Sequence, residues 1–241
     1  MDLLTEGIQD KGIFKAVFTA GGPGSGKSYI AQNLFGIPSE GITTTIDGLK
    51  VVNSDKEFTF LLKKYGFDPK FLDQYPEGMF DQPGGMRDFA KSLTKARKRG
   101  YMKGKLGMII DGTGSKFQKI KKLKNELESH GYDTHMVFVE TSLEVAQKRN
   151  QERSRVLDPK IVEASWKSTR KNLGAFKAMF GSDFALVNND NFLNAKEARH
   201  KFSDLIKGHA QNWVNRPIKN PIGKKWIKNQ KKLVKNKKRF S

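Results

Sequence analysis

The run Gly21-Gly22-Pro23-Gly24-Ser25-Gly26-Lys27-Ser28 constrains this chain more than any other stretch of it. It fits the spacing G-x-x-x-x-G-K-[ST]. It lies between an apolar segment, Phe14 to Ala20, that reads as a buried strand, and Tyr29 to Phe35, which reads as a helix. Strand, glycine-rich loop and helix in that order make a phosphate cradle rather than a chance glycine turn. Without a Cβ in the way, backbone N–H groups can converge on phosphate oxygens. Lys27 would reach the same oxygens, and the Ser28 hydroxyl suits a Mg2+ ion bridging them. The expected ligand is a nucleoside triphosphate, ATP or GTP, with Mg2+. Gly22, Gly24, Ser25, Gly26, Lys27, Ser28 and the adjoining Tyr29 are its candidate binding residues.

The rest of the chain alternates apolar runs with helical patterns. Strands are expected at 14–20, 49–53, 106–111, 135–140 and 184–187. Helices are expected at 27–35, 55–64, 87–100, 116–129, 143–152, 159–180 and 194–214. Such alternation predicts a parallel sheet covered on both faces. The expected fold is a three-layer α/β P-loop NTPase domain with a mostly parallel five-stranded sheet flanked by helices. Its domain would span 13–214, after an N-terminal arm at 1–12 and before a basic, flexible tail at 215–241. Residues 66–86 are rich in Gly, Pro and aromatics and read as an ordered, irregular insertion; 66–105 is the expected acceptor side, and 148–160 the expected lid.

Several polar residues fall where such a sheet collects ligands, beyond the carboxyl ends of its strands. Asp111 ends the run LGMIID and would hold a magnesium-bound water or orient an acceptor; the alternative is a turn or helix-cap aspartate. Asp55 follows the second strand in Asn53-Ser54-Asp55. Phosphoryl transfer to a hydroxyl calls for a carboxylate that orients it and accepts its proton, and Asp55 is the first candidate. Asp47 competes for that role, and capping of the next helix competes for Asp55. Arg149 and Arg153 stand four apart, on one face of a helix, where two guanidiniums can grip a phosphoryl group. Asn189, in Asn188-Asn189-Asp190, is placed to meet the nucleotide base or simply to shape a turn. The four histidines show no ligand spacing, so no metal site is expected beyond Ser28 and Asp111 on the nucleotide's Mg2+.

Charge is the second strong constraint. The formal net charge is +20, and the stretch from Arg216 to Ser241 holds eleven Lys or Arg and no acid. Such a stretch attracts polyanions. Nucleic acid is the favoured partner for the tail and the basic helices; an anionic membrane face, an acidic protein or a purely solubilising role are alternatives. Alone the tail reads as disordered, with helix forming on an anionic surface. Cysteine is absent, which excludes disulfides, thiolate metal sites and cysteine nucleophiles. No signal peptide or membrane-spanning run is visible, so the expected location is the cytoplasm, or the host cytoplasm for a phage-encoded chain.

Four segments together resemble the P-loop kinases that group 5′-polynucleotide kinases with zeta toxins: GGPGSGKS (21–28), VVNSD (51–55), MIIDGTG (108–114) and KRNQERSRVLDPKIVEASWKSTRKNL (148–173). The last is similar to the lid and following helix of phage-type polynucleotide kinases. The resemblance covers about 13–192, matches 66–105 poorly and leaves the tail unmatched. It implies ATP- or GTP-dependent phosphoryl transfer to a hydroxyl, with Lys27 and Ser28 on triphosphate and metal, Asp55 as base, and Arg149 and Arg153 on the phosphates. A nucleic-acid 5′-hydroxyl is the favoured acceptor; a nucleotide sugar or other phosphorylated metabolite, or a nucleic-acid-binding NTPase module without transfer, are the alternatives. Polynucleotide kinases carry an acceptor-binding arginine three residues after the base, where Phe58 stands here. Arg87, Lys91 or the tail are candidates to replace it. The D-x-D-G-T motif of a phosphatase domain does not occur in these 241 residues.

Overall fold

The computed structural model describes residues 8, 10–35, 44–45, 48–69, 71–76, 78–152, 156–190 and 212–237. Within them, β1 (Lys15–Ala20), β2 (Lys50–Val52), β3 (Met108–Asp111), β4 (Asp133–Glu140) and β5 (Phe184–Asn188) form one sheet in the order β2-β3-β1-β4-β5. Every pairing is parallel, as the alternating pattern predicts. β1 is central and buried along its whole length, which is why KAVFTA is almost continuously apolar. All strands run the same way, so the phosphate loop after Ala20, the Asp111 end of β3 and the Asn53 end of β2 meet at one edge.

Side chains alternate across the sheet. Val17, Val51, Ile109, Val137 and Val187 meet Ile30 and Leu34 of α1 (Lys27–Phe35) on one face. Ala16, Phe18, Met108, Met136 and Phe138 meet Leu127 of α4 (Phe117–Ser129) and Phe176 of α7 (Leu173–Phe180) on the other. Two further helices, α5 (Leu143–Gln151) and α6 (Pro159–Lys171), follow β4. The helix expected over 159–180 is divided at Asn172, whose side-chain amide donates to the carbonyls of Gly114 and Ser115 at 2.9 and 3.1 Å. This tie holds the junction between α6 and α7 against the loop after β3.

The irregular stretch after α2 (Ser54–Lys64) makes a small core of its own against α3 (Met86–Lys103). Phe58, Leu61, Leu62, Phe80 and Ala90 are buried there, with Phe67 and Tyr75 packed at the margin. Phe80 meets Phe58, Phe67 and Tyr75 edge-on, at 5.1–6.0 Å between centroids. Of the aromatics in 65–80, Phe67, Tyr75 and Phe80 are therefore packing, in a geometry that adds to simple burial, while Tyr65 and Phe71 are exposed.

The flexible tail expected from residue 215 is not what the structure holds. Residues 221–237 (Pro221–Lys237) form a C-terminal helix, and Trp226 and Ile227 pack on the sheet's core. Trp226 stands edge-on to Phe14, 5.4 Å away. Asp133, at the start of β4, accepts hydrogen bonds from the backbone N–H groups of Lys219 and Asn220 at 2.8 and 2.9 Å. The Asn220 side chain donates to Glu128 and Tyr132 and caps the helix by accepting from Ile222 N–H. Gly131 and Gly223 meet backbone to backbone, and a Cβ on Gly223 would stand 2.5 Å from the Gly131 carbonyl oxygen. A domain ending at 214 would cut through this packing: the apolar residues scattered among the lysines are a buried face. The helix expected at 194–214 lies outside the described residues except for the single turn Asn212–Asn215, where Trp213 and Val214 are buried.

Candidate active site

Asp111 is the hub of the sheet's carboxyl edge. Its Oδ1 accepts from the Thr19 hydroxyl and from Lys27 Nζ, both at 2.6 Å, and its Oδ2 accepts from Asn53 Nδ2 at 2.6 Å. The register explains the geometry, since Thr19 of β1 lies directly beside Asp111 of β3. Three elements thus converge on one carboxylate: the central strand, the phosphate loop and the end of β2. The ion pair with Lys27 is largely shielded, at 15% and 13% side-chain exposure, so the loop lysine is held ready beside the place phosphates would occupy.

The loop itself requires its glycines. Gly24 and Gly26 both have φ near +75°, which L side chains rarely adopt. A Cβ on Gly24 would collide with the backbone of Ala146 in α5, and one on Gly26 with the amide of Asn189. Asn189 donates to the Ser25 carbonyl at 2.6 Å and is buried, so it supports the loop from the end of β5. Arg149 reaches the same corner: Nη2 donates to the Asn189 carbonyl at 2.8 Å, while Nη1 is buried without a hydrogen-bond partner. Burial lowers the Arg149 pKa from its usual value, opposed by Asp190 and Glu152. A buried guanidinium N–H with nothing to bind, beside a cradle of backbone N–H groups, fits an anion.

Asp190 holds this corner in place. It accepts from Ser142 N–H at 2.5 Å and from the Thr141 hydroxyl at 2.9 Å. Burial alone would raise its pKa, but those bonds and the Arg149 charge outweigh it, and the net shift is downward.

On the other side, Asn53 caps α2, accepting from Asp55 N–H at 2.7 Å. Asp55 is therefore not the cap; its side chain is 83% exposed at the open edge of the site. Arg87, from the start of α3, comes 3.6 Å from Asp55 and 2.5 Å from Asp81. Its guanidinium lies over the ring of Phe58, at 4.1 Å.

The structure brings Lys27, Asp111, Arg149, Asn189 and the loop glycines together, with Asp55 along the same edge. Tyr29, within α1, packs against the apolar core. Arg153 and Asp47 lie outside the described residues. Thr19, Asn53 and Asp190 are additions to the sequence reading. Thr19 is a polar residue inside a buried strand and Asn53 stands two residues before Asp55, and those are the signals in the sequence. No group of three or more His, Asp or Glu that could hold a metal is present among the described residues. No helix among them is long and apolar enough to cross a membrane.

A family model described as an AAA domain, AAA_33, matches residues 17–176. No curated protein matches the chain. Among solved structures, a chain of the AvrRxo1-ORF1:-ORF2 complex is similar in fold, with TM-score 0.53 and 13% identity over 75% of this chain and 60% of that one. A chain of the Pnkp1/Rnl/Hen1 RNA repair complex aligns at TM-score 0.48 and 17% identity, over 68% of this chain and 46% of that one. A chain of the PezAT toxin-antitoxin system of Streptococcus pneumoniae aligns at TM-score 0.48 and 18% identity, over 79% and 77%. This chain spans less than two thirds of the first two.

Proposed function

Since this chain belongs to the AAA_33 family of AAA domains, we propose that its P-loop site transfers the γ-phosphoryl group of ATP or GTP to a hydroxyl, with a nucleic-acid 5′-hydroxyl end as the favoured acceptor. The observation that carries the reading is the convergence of Lys27, Thr19 and Asn53 on Asp111 beside a loop whose Gly24 and Gly26 sit in left-handed backbone. The residues fit the triphosphate: an unpartnered Arg149 N–H and the loop's backbone form an anion-binding corner. Mg2+, held by Ser28 and through water by Asp111, would neutralise charge between the transferred and leaving phosphates.

The chain's own groups then divide the work. Lys27 exchanges Asp111 for phosphate oxygens, and Arg149 adds its free N–H to the same charge. Arg153 is proposed to share that role from the lid. Asp55 orients the acceptor hydroxyl and takes its proton as the O–P bond forms. Arg87 stands where an anionic group next to that hydroxyl would lie, and this supports an acceptor that is itself phosphorylated. The open edge at Asp55 leaves room for the end of a polymer.

The test offers γ-labelled ATP with 5′-hydroxyl DNA, 5′-hydroxyl RNA and UDP-N-acetylglucosamine in separate reactions. Label on an oligonucleotide end is expected. Label on the sugar alone replaces the acceptor with a metabolite. Hydrolysis without transfer, unchanged by Asp55→Asn, leaves an NTPase module.

A further inference from the structure

The charge of the C-terminal helix is arranged, not merely abundant. At 100° per residue, Lys224, Lys225, Lys228, Lys231, Lys232 and Lys235 fall within an arc of roughly 120°. All six are exposed, and Pro221–Lys237 contains no acid to neutralise them. Helices α3, α4 and α6, by contrast, pair some of their lysines: Lys91 with Asp88, Lys98 with Glu126, Lys124 with Glu128 and Lys167 with Glu163. From Lys224 to Lys235 the face runs about 16 Å, a length over which duplex DNA presents about ten phosphate charges.

Its position matters as much as its charge. Trp226 touches Phe14, the residue before β1, whereas the phosphate loop begins at Gly21, the residue after β1. Six strand residues separate them, roughly 20 Å. The helix is locked at that far end by Asp133, by Asn220 and by the Gly131–Gly223 contact. Its lysines are held on a fixed surface away from the transfer site.

We propose that the six-lysine face of the C-terminal helix is a docking surface for the phosphate backbone of a nucleic acid, at the amino end of the sheet and separate from the phosphoryl-transfer site. The inference rests on the nucleic-acid part of the proposed function and adds where the polymer is held. A bilayer is the weaker fit. An interfacial helix needs a free apolar face, and here Trp226 and Ile227 are already packed against the domain, which leaves only Ile222 at one end and Leu233 and Val234 near the other about half exposed.

The experiment measures binding of 5′-phosphorylated duplex DNA to the full chain by fluorescence anisotropy over a salt series. The blocked 5′ end cannot serve as acceptor, so the readout does not depend on kinase activity and fails or succeeds independently of it. For K224Q/K228Q/K231Q/K235Q the log–log salt slope should fall by about 3–4 units, and affinity at about 0.1 M salt by at least tenfold. The matching K224R/K228R/K231R/K235R variant should bind as the wild type does, with both variants keeping the wild-type circular dichroism. Lys27→Ala should also retain DNA binding. An unchanged slope in the glutamine variant, or loss of binding in Lys27→Ala, overturns the proposal. So does a glutamine variant that loses only its binding to phosphatidylserine vesicles while still holding DNA.

Discussion

The guanidinium of Arg87 stacks on the ring of Phe58, 4.1 Å from its centroid, and so reaches Asp55 from a different helix. A planar cation resting on a buried aromatic keeps its donors pointing in fixed directions. Arg87→Ala should raise KM for a phosphorylated acceptor by roughly 10–100-fold, since a bond to a charged group contributes about 1.5–3 kcal/mol. KM for ATP should stay near wild type. Arg87→Lys should recover little, because an ammonium lacks the planar fork. Steady-state kinetics with each substrate varied in turn checks this.

Asp55→Asn should lower kcat by about 10²–10⁴-fold, the usual contribution of a general base, while leaving ATP affinity unchanged. The side chain is largely exposed, so the variant should melt with the wild type. Parallel binding and turnover measurements separate the two effects.

Asp111→Asn attacks a different link. It removes the charge that holds Lys27 and leaves Thr19 and Asn53 facing an amide that must offer a donor as well as an acceptor. Activity should fall at least 100-fold, the scale of losing a positioned electrostatic group. Unlike Asp55→Asn, it should also shift the melting temperature, measured by calorimetry.

Gly223→Val should loosen the C-terminal helix, because its Cβ would meet the Gly131 carbonyl oxygen at 2.5 Å. The loss should be about 1–3 kcal/mol, as for overpacking elsewhere. Near-ultraviolet circular dichroism, which senses the packing of Trp226 on Phe14, should weaken while phosphoryl transfer to a short acceptor persists.

Lys15 gives a pH signature. Burial lowers its pKa from 10.5, opposed by Asp133, so the folded chain binds this proton less tightly than the unfolded one. The resulting penalty is full below the folded pKa and fades as pH rises toward 10.5. The stability difference between wild type and Lys15→Met should therefore move in favour of the wild type as pH climbs through that window. Urea melts of both proteins at several alkaline pH values read it directly, and a flat difference contradicts it.

The glycine-loop part of the candidate site is legible in the chain because it is local. A strand, a glycine loop with its lysine, and an aspartate closing an apolar run each announce themselves within a few residues. Asp111 could be placed beside the loop from topology alone. What it holds could not: Thr19 and Asn53 meet it through strand register, a relation between segments far apart in sequence. Position 58 shows the same limit. Arg87, Lys91 and the tail are equal candidates from sequence, since which of them lies beside Phe58 depends on how α2 and α3 pack. The tail was misread because lysine density hides a 3.6-residue apolar face, and its docking partners, Gly131 and Asp133, belong to a distant turn.

That docking changes what a shortened chain would mean. Cutting at Asn215 looks like a clean removal of positive charge. It would also take Ile218 and Trp226 from the core, uncover Phe14, and leave Asp133 without the backbone N–H groups of Lys219 and Asn220. Weaker nucleic-acid binding by such a fragment would report lost structure and lost charge together. The charge of this protein can be edited in place, lysine by lysine, but not cut away.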